Sequence, residues 1–148
     1  MMKTIWQQTA CEELLARAGK LRADLPANWG KMDCPKMLAH VVDGMRMTLG
    51  EKNIPPKNSP LKFAPIKHLI IYWLPFPKGA PTAPELVART PGEWERELAD
   101  FKTVFATLTA SHQRTNWPEH PAFGKLSTKD WGALVYKHID HHFKQFGV

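Results

Sequence analysis

Cysteine is scarce in this sequence, and no cysteine motif is present. Cys11 and Cys34 are the only two cysteines among 148 residues, too few for a disulfide framework. We expect both thiols to be reduced. We also expect neither to bind a metal, because no histidine lies at a chelating spacing from them; Cys34, six residues before His40, is the nearer of the two to a histidine.

Long apolar runs are also missing. The longest run, residues 66–76, is well short of the ~18 apolar residues of a membrane-spanning helix, and it contains Lys67, His68 and Pro75. The N-terminus turns polar too soon for a secretion signal. These absences predict a cytoplasmic protein with no membrane partner.

Motifs for nucleotide binding and serine catalysis are absent from the chain. It has no Gly-rich phosphate loop, no Gly-x-Ser-x-Gly elbow, no internal repeat and no convincing pair of strands. The net charge of +6 is spread without a long run of like charge, a basic helix face or an aromatic platform. The charge therefore argues against a nucleic-acid partner and is compatible with attraction of an anionic small molecule.

Apolar and aromatic residues are plentiful. They make up 43% of the chain and include six tryptophans and seven phenylalanines, which is typical of a globular protein. A chain of 148 residues fits one domain. We expect residues 1–148 to form a single helical domain.

Helical periodicity runs through most of the chain. It predicts four substantial helices, at about residues 4–21, 33–49, 90–108 and 127–146. A short helix is favoured at residues 66–74, inside a long proline-rich connection, because no second strand lies nearby to pair with it. The sequence therefore predicts an all-α fold: a four-helix bundle with a long crossover connection and one extra short helix.

The starts of two helices carry strong capping signals. Thr90 and Glu93 form a capping-box pair, with Pro91 between them at the first helical position. Ser127 and Asp130 form a second capping box at the start of the last helix. We therefore expect helices to begin at Thr90 and at Ser127.

The last helix carries a histidine pair on its buried face. At about 100° per residue, four residues lie within roughly 60° of one another: Trp131, Val135, His138 and His142. His141 lies roughly 100° from His142, toward the flank. Imidazoles at i and i+4 can converge on one metal ion; the alternative is a pair of half-buried histidines bonded to their neighbours.

Two other histidines lie on predicted helices. His40 is off the centre of the apolar stripe of its helix, with Gly44 one turn later leaving space above it. Considered alone, it is a boundary histidine facing a cleft. His68, in the short helix, is also most simply a boundary residue.

The sequence resembles a known superfamily over nearly its whole length. His138-Ile-Asp-His-His142-Phe-Lys-Gln145 resembles the last-helix signature of the DinB/YfiT-like superfamily, in which a His-x-x-x-His pair is followed by glutamine one turn later. More narrowly, His120-Pro-Ala-Phe-Gly-Lys-Leu126 before that helix is similar to a bacterial branch known mainly as a domain of unknown function. The resemblance implies a helical bundle that binds a divalent metal.

A metal site at three histidines follows from this resemblance. It implies that His40 joins His138 and His142 as the third ligand of a divalent metal. Zinc, nickel, iron and manganese all accept nitrogen ligands, and the sequence does not choose among them. Three imidazoles leave a coordination position open, where a water or a low-molecular-weight thiol would lose its proton more easily. Asp43, one turn from His40, and Gln145, one turn from His142, are candidates for supporting the catalytic site by orienting the ligands; each is also a plausible surface residue.

Three hypotheses for function remain at this point. The first is a metal-dependent enzyme, a thiol S-transferase or hydrolase, acting on a small-molecule substrate, as in some relatives. The alternative is a bundle that binds a metal or small molecule without chemistry, with a homodimer as a possible assembly. DNA binding is the third and rests only on the positive charge and on the damage-inducible label of the wider superfamily.

Overall fold

The structure, a computed structural model, describes residues 2–148. Within that range it contains five α-helices and two short 3-10 turns, with no β-strand and an isolated bridge between His120 and Gly124. The helices are α1 (Gln8–Ala18), α2 (Cys34–Leu49), α3 (Ile66–Tyr72), α4 (Trp94–Thr109) and α5 (Thr128–Gln145). The predicted all-α class is confirmed, and no helix of the described residues is long and apolar enough to cross a membrane.

The second helix, α2, is the most enclosed element. The Asp33 carboxylate caps its start by accepting a hydrogen bond from the Lys36 N–H, and Gly50 ends it in a left-handed conformation with φ 85°. It packs against both α4 and α5. Every residue from Met37 to Met45 is buried, so this helix is covered on all sides rather than on one stripe.

The last helix, α5, begins as its sequence predicts. The Asp130 N–H donates to the Ser127 hydroxyl oxygen at 3.1 Å, and the Ser127 N–H donates to the Asp130 carboxylate at 3.0 Å. Both halves of the predicted capping box are therefore present. The helix packs against α1, α2 and α3.

The fourth helix, α4, begins at Trp94, so the predicted start at Thr90 is wrong. Residues 90–93 are not helical. The Glu97 carboxylate accepts the Gly92 N–H at 2.9 Å and is also bound by Arg89. Through these bonds Glu97, rather than Thr90, pairs a backbone N–H of the segment before the helix.

The first helix, α1, is shorter than predicted. It covers residues 8–18 instead of 4–21, with hydrogen-bonded turns on either side. The segment before it crosses α5, where the Ile5 N–H donates to the Gly132 carbonyl and the Trp6 indole N–H donates to the Thr128 carbonyl. Gly132 allows this crossing, because a Cβ there would lie 2.1 Å from the Trp6 indole nitrogen.

The long connection between α2 and α4 contains the predicted short helix. That helix is α3, preceded by a 3-10 turn at Pro60–Lys62 and followed by another at Pro84–Leu86. The second turn lies against α2. The connection therefore covers a side of α2 that would otherwise face solvent.

Candidate metal centre

Three histidines from two helices lie together in the interior. They are His40 on α2 and His138 and His142 on α5, and each offers a ring nitrogen within 4.8 Å of the other two. The Nε2 atoms of His40 and His138 are 2.9 Å apart. Each pair of ring centroids is separated by 4.8 Å, with the rings nearly perpendicular.

His40 is fully enclosed, so the expectation of a boundary histidine is wrong. It is 2% exposed because the 3-10 turn at Pro84–Leu86 covers it. Its Nδ1 lies 3.0 Å from the Leu86 carbonyl oxygen. Since a carbonyl can only accept, the proton of the neutral ring is on Nδ1, and the Nε2 lone pair faces the other two histidines.

The space beside Gly44 serves His138 rather than His40. A Cβ on Gly44 would lie 3.2 Å from Cε1 and 3.4 Å from Nδ1 of the His138 ring. The missing side chain lets α5 bring this imidazole against α2. The glycine noticed in the sequence therefore sets the distance between the two helices at the cluster.

Gln145 holds the ring of His142. Its side-chain N–H donates to the Trp29 carbonyl at 2.9 Å, which fixes the orientation of the amide. Its Oε1 then accepts from the Nδ1–H of His142 at 2.8 Å. The Nε2 atom of His142 is left without a proton, as in His40.

All three imidazoles are uncharged at neutral pH. Burial lowers the pKa of His40, and burial together with the neighbouring histidines lowers the pKa of His138 well below its usual value. The same causes lower the pKa of His142 to about 3. Neutral imidazole is the form that binds a metal ion.

Asp43 lies near the cluster but makes no hydrogen bond to His40. Both of its carboxylate oxygens accept from Arg89 Nε at 3.1 Å, and Arg46 and Lys52 approach them at 3.4 Å. Asp43, which the sequence suggested as a residue that orients His40, is therefore part of a buried ion network instead. The atom that orients His40 is the Leu86 carbonyl oxygen, which sequence reasoning missed.

The network also contains a buried glutamate that sequence reasoning missed. Glu97 is 2% exposed, and Arg89 binds both of its carboxylate oxygens. Hydrogen bonds from Arg89 lower the pKa of Glu97. The available signal was its position four residues before Phe101, on the apolar stripe of α4, where a lone carboxylate needs a partner.

Arg89 links this network to the cluster. Its Nη2 donates to the Ala39 carbonyl at 3.3 Å, one residue before His40. Three residues earlier in the chain, Leu86 supplies the carbonyl that holds the His40 ring. The ion network therefore anchors the segment that fixes the proton position on His40.

The remaining candidate residues lie outside the cluster. The His141 ring packs between Trp29 and Phe76, with centroids 5.6 Å and 5.9 Å away. His68 is half-buried beside Asp130, as expected of a boundary residue. Both cysteines are free, and burial raises the pKa of the Cys34 thiol to about 11.

A cavity of about 740 Å³ lies against the three histidines. Its walls come from α2, α5 and three loop segments, residues 29–32, 74–83 and 120–123, with single residues from the rest of the α2–α4 connection. Most lining side chains are apolar, and among the described residues the charged ones are Lys31 and Lys57, with no carboxylate. The proline-rich connection, whose role the sequence left open, therefore forms one wall of this cavity.

These features define an all-helical protein with three neutral histidines facing an apolar cavity. Residues 6–147 match a family described as a protein of unknown function, DUF1569, and the chain belongs to that family. The predicted likeness to an uncharacterised domain family is confirmed at this level. Searches of curated proteins and of solved structures found no match.

Proposed function

We propose that this protein binds one divalent metal ion through His40, His138 and His142. The observation that supports this proposal best is the convergence of three neutral imidazoles within 4.8 Å of one another. Hydrogen bonds at Nδ1 leave the Nε2 atoms of His40 and His142 free to act as ligands. A donor set of three nitrogens suits zinc, nickel, iron or manganese.

The short contact between His40 and His138 supports a ligand role for both. Because the Nε2 atom of His40 has no proton, the 2.9 Å contact requires the proton on the Nε2 atom of His138 when no ion is present. That proton can move to the Nδ1 atom of His138 without charging the ring. A metal ion could then take the place of that proton between the Nε2 lone pairs of His40 and His138.

We propose further that the chain is a single bundle of the DinB/YfiT-like type. Its four longer helices would be α1, α2, α4 and α5, with α3 as the extra short helix in the crossover. The support is their order and their contacts, since α1 and α2 each pack against both α4 and α5. The histidine spacing and Gln145 also follow the signature of that superfamily.

The activity that fits this site best is metal-dependent thiol transfer or hydrolysis on a small molecule. Three protein ligands leave a position open, where the bound ion would lower the pKa of a water or a low-molecular-weight thiol. The chain itself would orient His40 and His142 through Leu86 and Gln145. Its apolar cavity would keep bulk solvent away from the reacting groups, apart from a water or thiol held at the ion.

A second candidate function is binding without chemistry. It is favoured by one observation: no Asp or Glu among the described residues lines the cavity, so no carboxylate is in place to transfer a proton. Metal-loaded protein assayed against thiol acceptors and simple esters separates the two. Turnover that disappears on chelation supports the enzyme, and bound metal without turnover supports the binding protein.

Elemental analysis of purified variants tests the metal site. His40→Ala, His138→Ala and His142→Ala should each lose the metal, because each removes one of three ligands. His141→Ala is the matched control and should keep it, and a variant with both cysteines changed to serine should keep it too. Loss of metal in His141→Ala with retention in His138→Ala would refute the assignment, as would a parent protein that binds none of several divalent metals.

A further inference from the structure

The loop before α5 fixes the His120 ring so that its Nε2 carries the proton and acts as a hydrogen-bond donor. The chain folds back on itself here, with the His120 and Gly124 backbones bonded in both directions and Gly124 at φ 65°. The Nδ1 atom of His120 accepts from the Ala122 N–H at 3.0 Å and the Phe123 N–H at 3.1 Å. Because both partners are donors, the proton of the neutral ring must be on Nε2.

This donor has no hydrogen-bond partner in the described part of the chain. Its ring lines the cavity, and its Nε2–H makes no hydrogen bond to any described residue. Burial lowers the pKa of His120 to about 4, so the ring is uncharged at neutral pH. The Pro-Ala-Phe-Gly turn therefore fixes an uncharged N–H at the cavity.

A second unpaired donor belongs to the neighbouring ring. Trp131 is 1% exposed and lines the same cavity, and its Nε1–H is buried with no hydrogen-bond partner among the described residues. Its ring centroid is 5.5 Å from that of His120. Buried donors are rarely left unpaired. The nitrogen itself is covered, so an acceptor on a bound molecule would reach it after a small shift of the rings around it and would then remove the cost of the unpaired donor.

The rest of the cavity restricts the chemistry of a ligand. Its volume of about 740 Å³ is within the range of sites for small organic molecules. Apolar walls cannot replace the hydration shell of a strongly polar molecule. A cationic ligand would find no carboxylate among the described lining residues, whereas Lys31 and Lys57 tolerate an anion.

We propose that this cavity binds a small organic molecule with an aliphatic or aromatic body and a carbonyl or carboxylate oxygen, to which Trp131 Nε1–H and His120 Nε2–H donate. This deepens the proposed function by naming the substrate class. It rests on the proposed function only in placing a metal ion beside the ligand, because the two N–H donors can bind the ligand without a metal. Ligand binding can therefore be measured with the metal removed.

A matched pair of ligands tests the proposal. 2-Acetylnaphthalene carries a ketone oxygen where 2-ethylnaphthalene carries hydrogens, and the two have nearly the same body. Equilibrium dialysis against chelator-treated protein should show the ketone bound about tenfold more tightly than the hydrocarbon, the effect expected of two neutral hydrogen bonds. Trp131→Phe should reduce that ratio to about threefold. Trp73→Phe, at an exposed tryptophan that does not line this cavity, should leave it unchanged.

Equal affinity for the two compounds in the parent protein would overturn the proposal. So would an unchanged ratio in folded Trp131→Phe. If that variant does not fold, infrared spectroscopy of the parent decides: the bound ketone should show a carbonyl stretch lowered from its value in alkane, and an unlowered stretch refutes the hydrogen bonds.

Metal content, measured separately, keeps the two proposals apart. Protein that binds no metal but prefers the ketone would retain this inference and lose the proposed metal site. Protein that binds metal but binds the ketone and the hydrocarbon equally would support the metal site and refute this inference.

Discussion

Replacing Arg89 by methionine tests whether the buried ion network supports the fold. Methionine keeps much of the apolar volume of the side chain and removes all of its donors. Glu97 and Asp43, whose side chains are 3% and 2% exposed, would each lose their principal partner. We expect a large loss of stability, because two buried carboxylates would be left near each other.

The size of the loss can be worked out from what remains. Breaking a buried ion pair by removing one partner costs about 3–5 kcal/mol. Asp43 would keep Arg46 and Lys52 at 3.4 Å, Glu97 would keep the Gly92 N–H, and the Arg89 side chain is itself 29% exposed. We therefore expect the lower end, about 3 kcal/mol, which corresponds to a decrease in Tm of roughly 6–12 °C.

The loss should also depend on pH. The pKa of Glu97 is lowered in the folded protein, chiefly by Arg89, so the pairing stabilises the fold above the usual pKa of glutamate and is lost as the pH falls through the folded value. In Arg89→Met, burial without the opposing guanidinium charge raises the pKa of Glu97 instead. Protonation of Glu97 at lower pH then removes the buried charge and restores part of the lost stability. The stability difference should be largest at pH 7 and should shrink toward pH 4.

Urea unfolding followed by circular dichroism at several pH values between 7 and 4 measures this difference. Arg22→Met is the matched control, since Arg22 and Asp24 form an exposed pair, and it should change stability by less than about 0.5 kcal/mol. The reasoning fails if Arg89→Met is no less stable than Arg22→Met at pH 7. It also fails if the difference between parent and Arg89→Met grows as the pH falls.

Two glycine substitutions give further tests. Gly44→Ala should weaken metal binding about tenfold with little loss of helix content, because its Cβ would lie 3.2 Å from the His138 ring and displace that ligand. Metal titration measures this affinity, and an unchanged affinity would argue against the role given to Gly44. Gly132→Ala should lower the free energy of unfolding by about 3 kcal/mol or prevent folding, because its Cβ would overlap the Trp6 indole. Gly19→Ala is the control: Gly19 has φ −65° and only ordinary contacts, so this variant should leave the midpoint of thermal unfolding unchanged or raise it. A Gly132→Ala protein as stable as the parent would show that the Trp6 crossing is not rigid.

The two helices that carry the histidine cluster could be predicted almost to the residue. Their end signals are local: Asp33 and Gly50 for α2, and Ser127 with Asp130 for α5. Thr90 carried an equally good local signal and failed. At that helix start the structure instead has a tertiary contact that no local pattern shows: Glu97 on α4 binds Arg89 and accepts the Gly92 N–H.

Only those parts of the candidate site that depend on residue spacing within one helix could be predicted. The i, i+4 relation placed His138 and His142 on one face, and the structure brings that face against His40. The burial of His40 depends on Leu86, which is 46 residues away along the chain. No periodicity indicates such a contact, and none indicates that the Trp131 N–H lacks a partner.

The wall formed by residues 74–83 differs in construction from the helices opposite it. Pro75, Pro77 and Pro81 fix its backbone through their rings, and no helix or strand runs through it after α3. Substitutions there can reshape the cavity without breaking a helix, whereas His40 and His142 are held by the core. The ligand preference proposed for this cavity can therefore be changed at this wall while the histidine cluster stays intact.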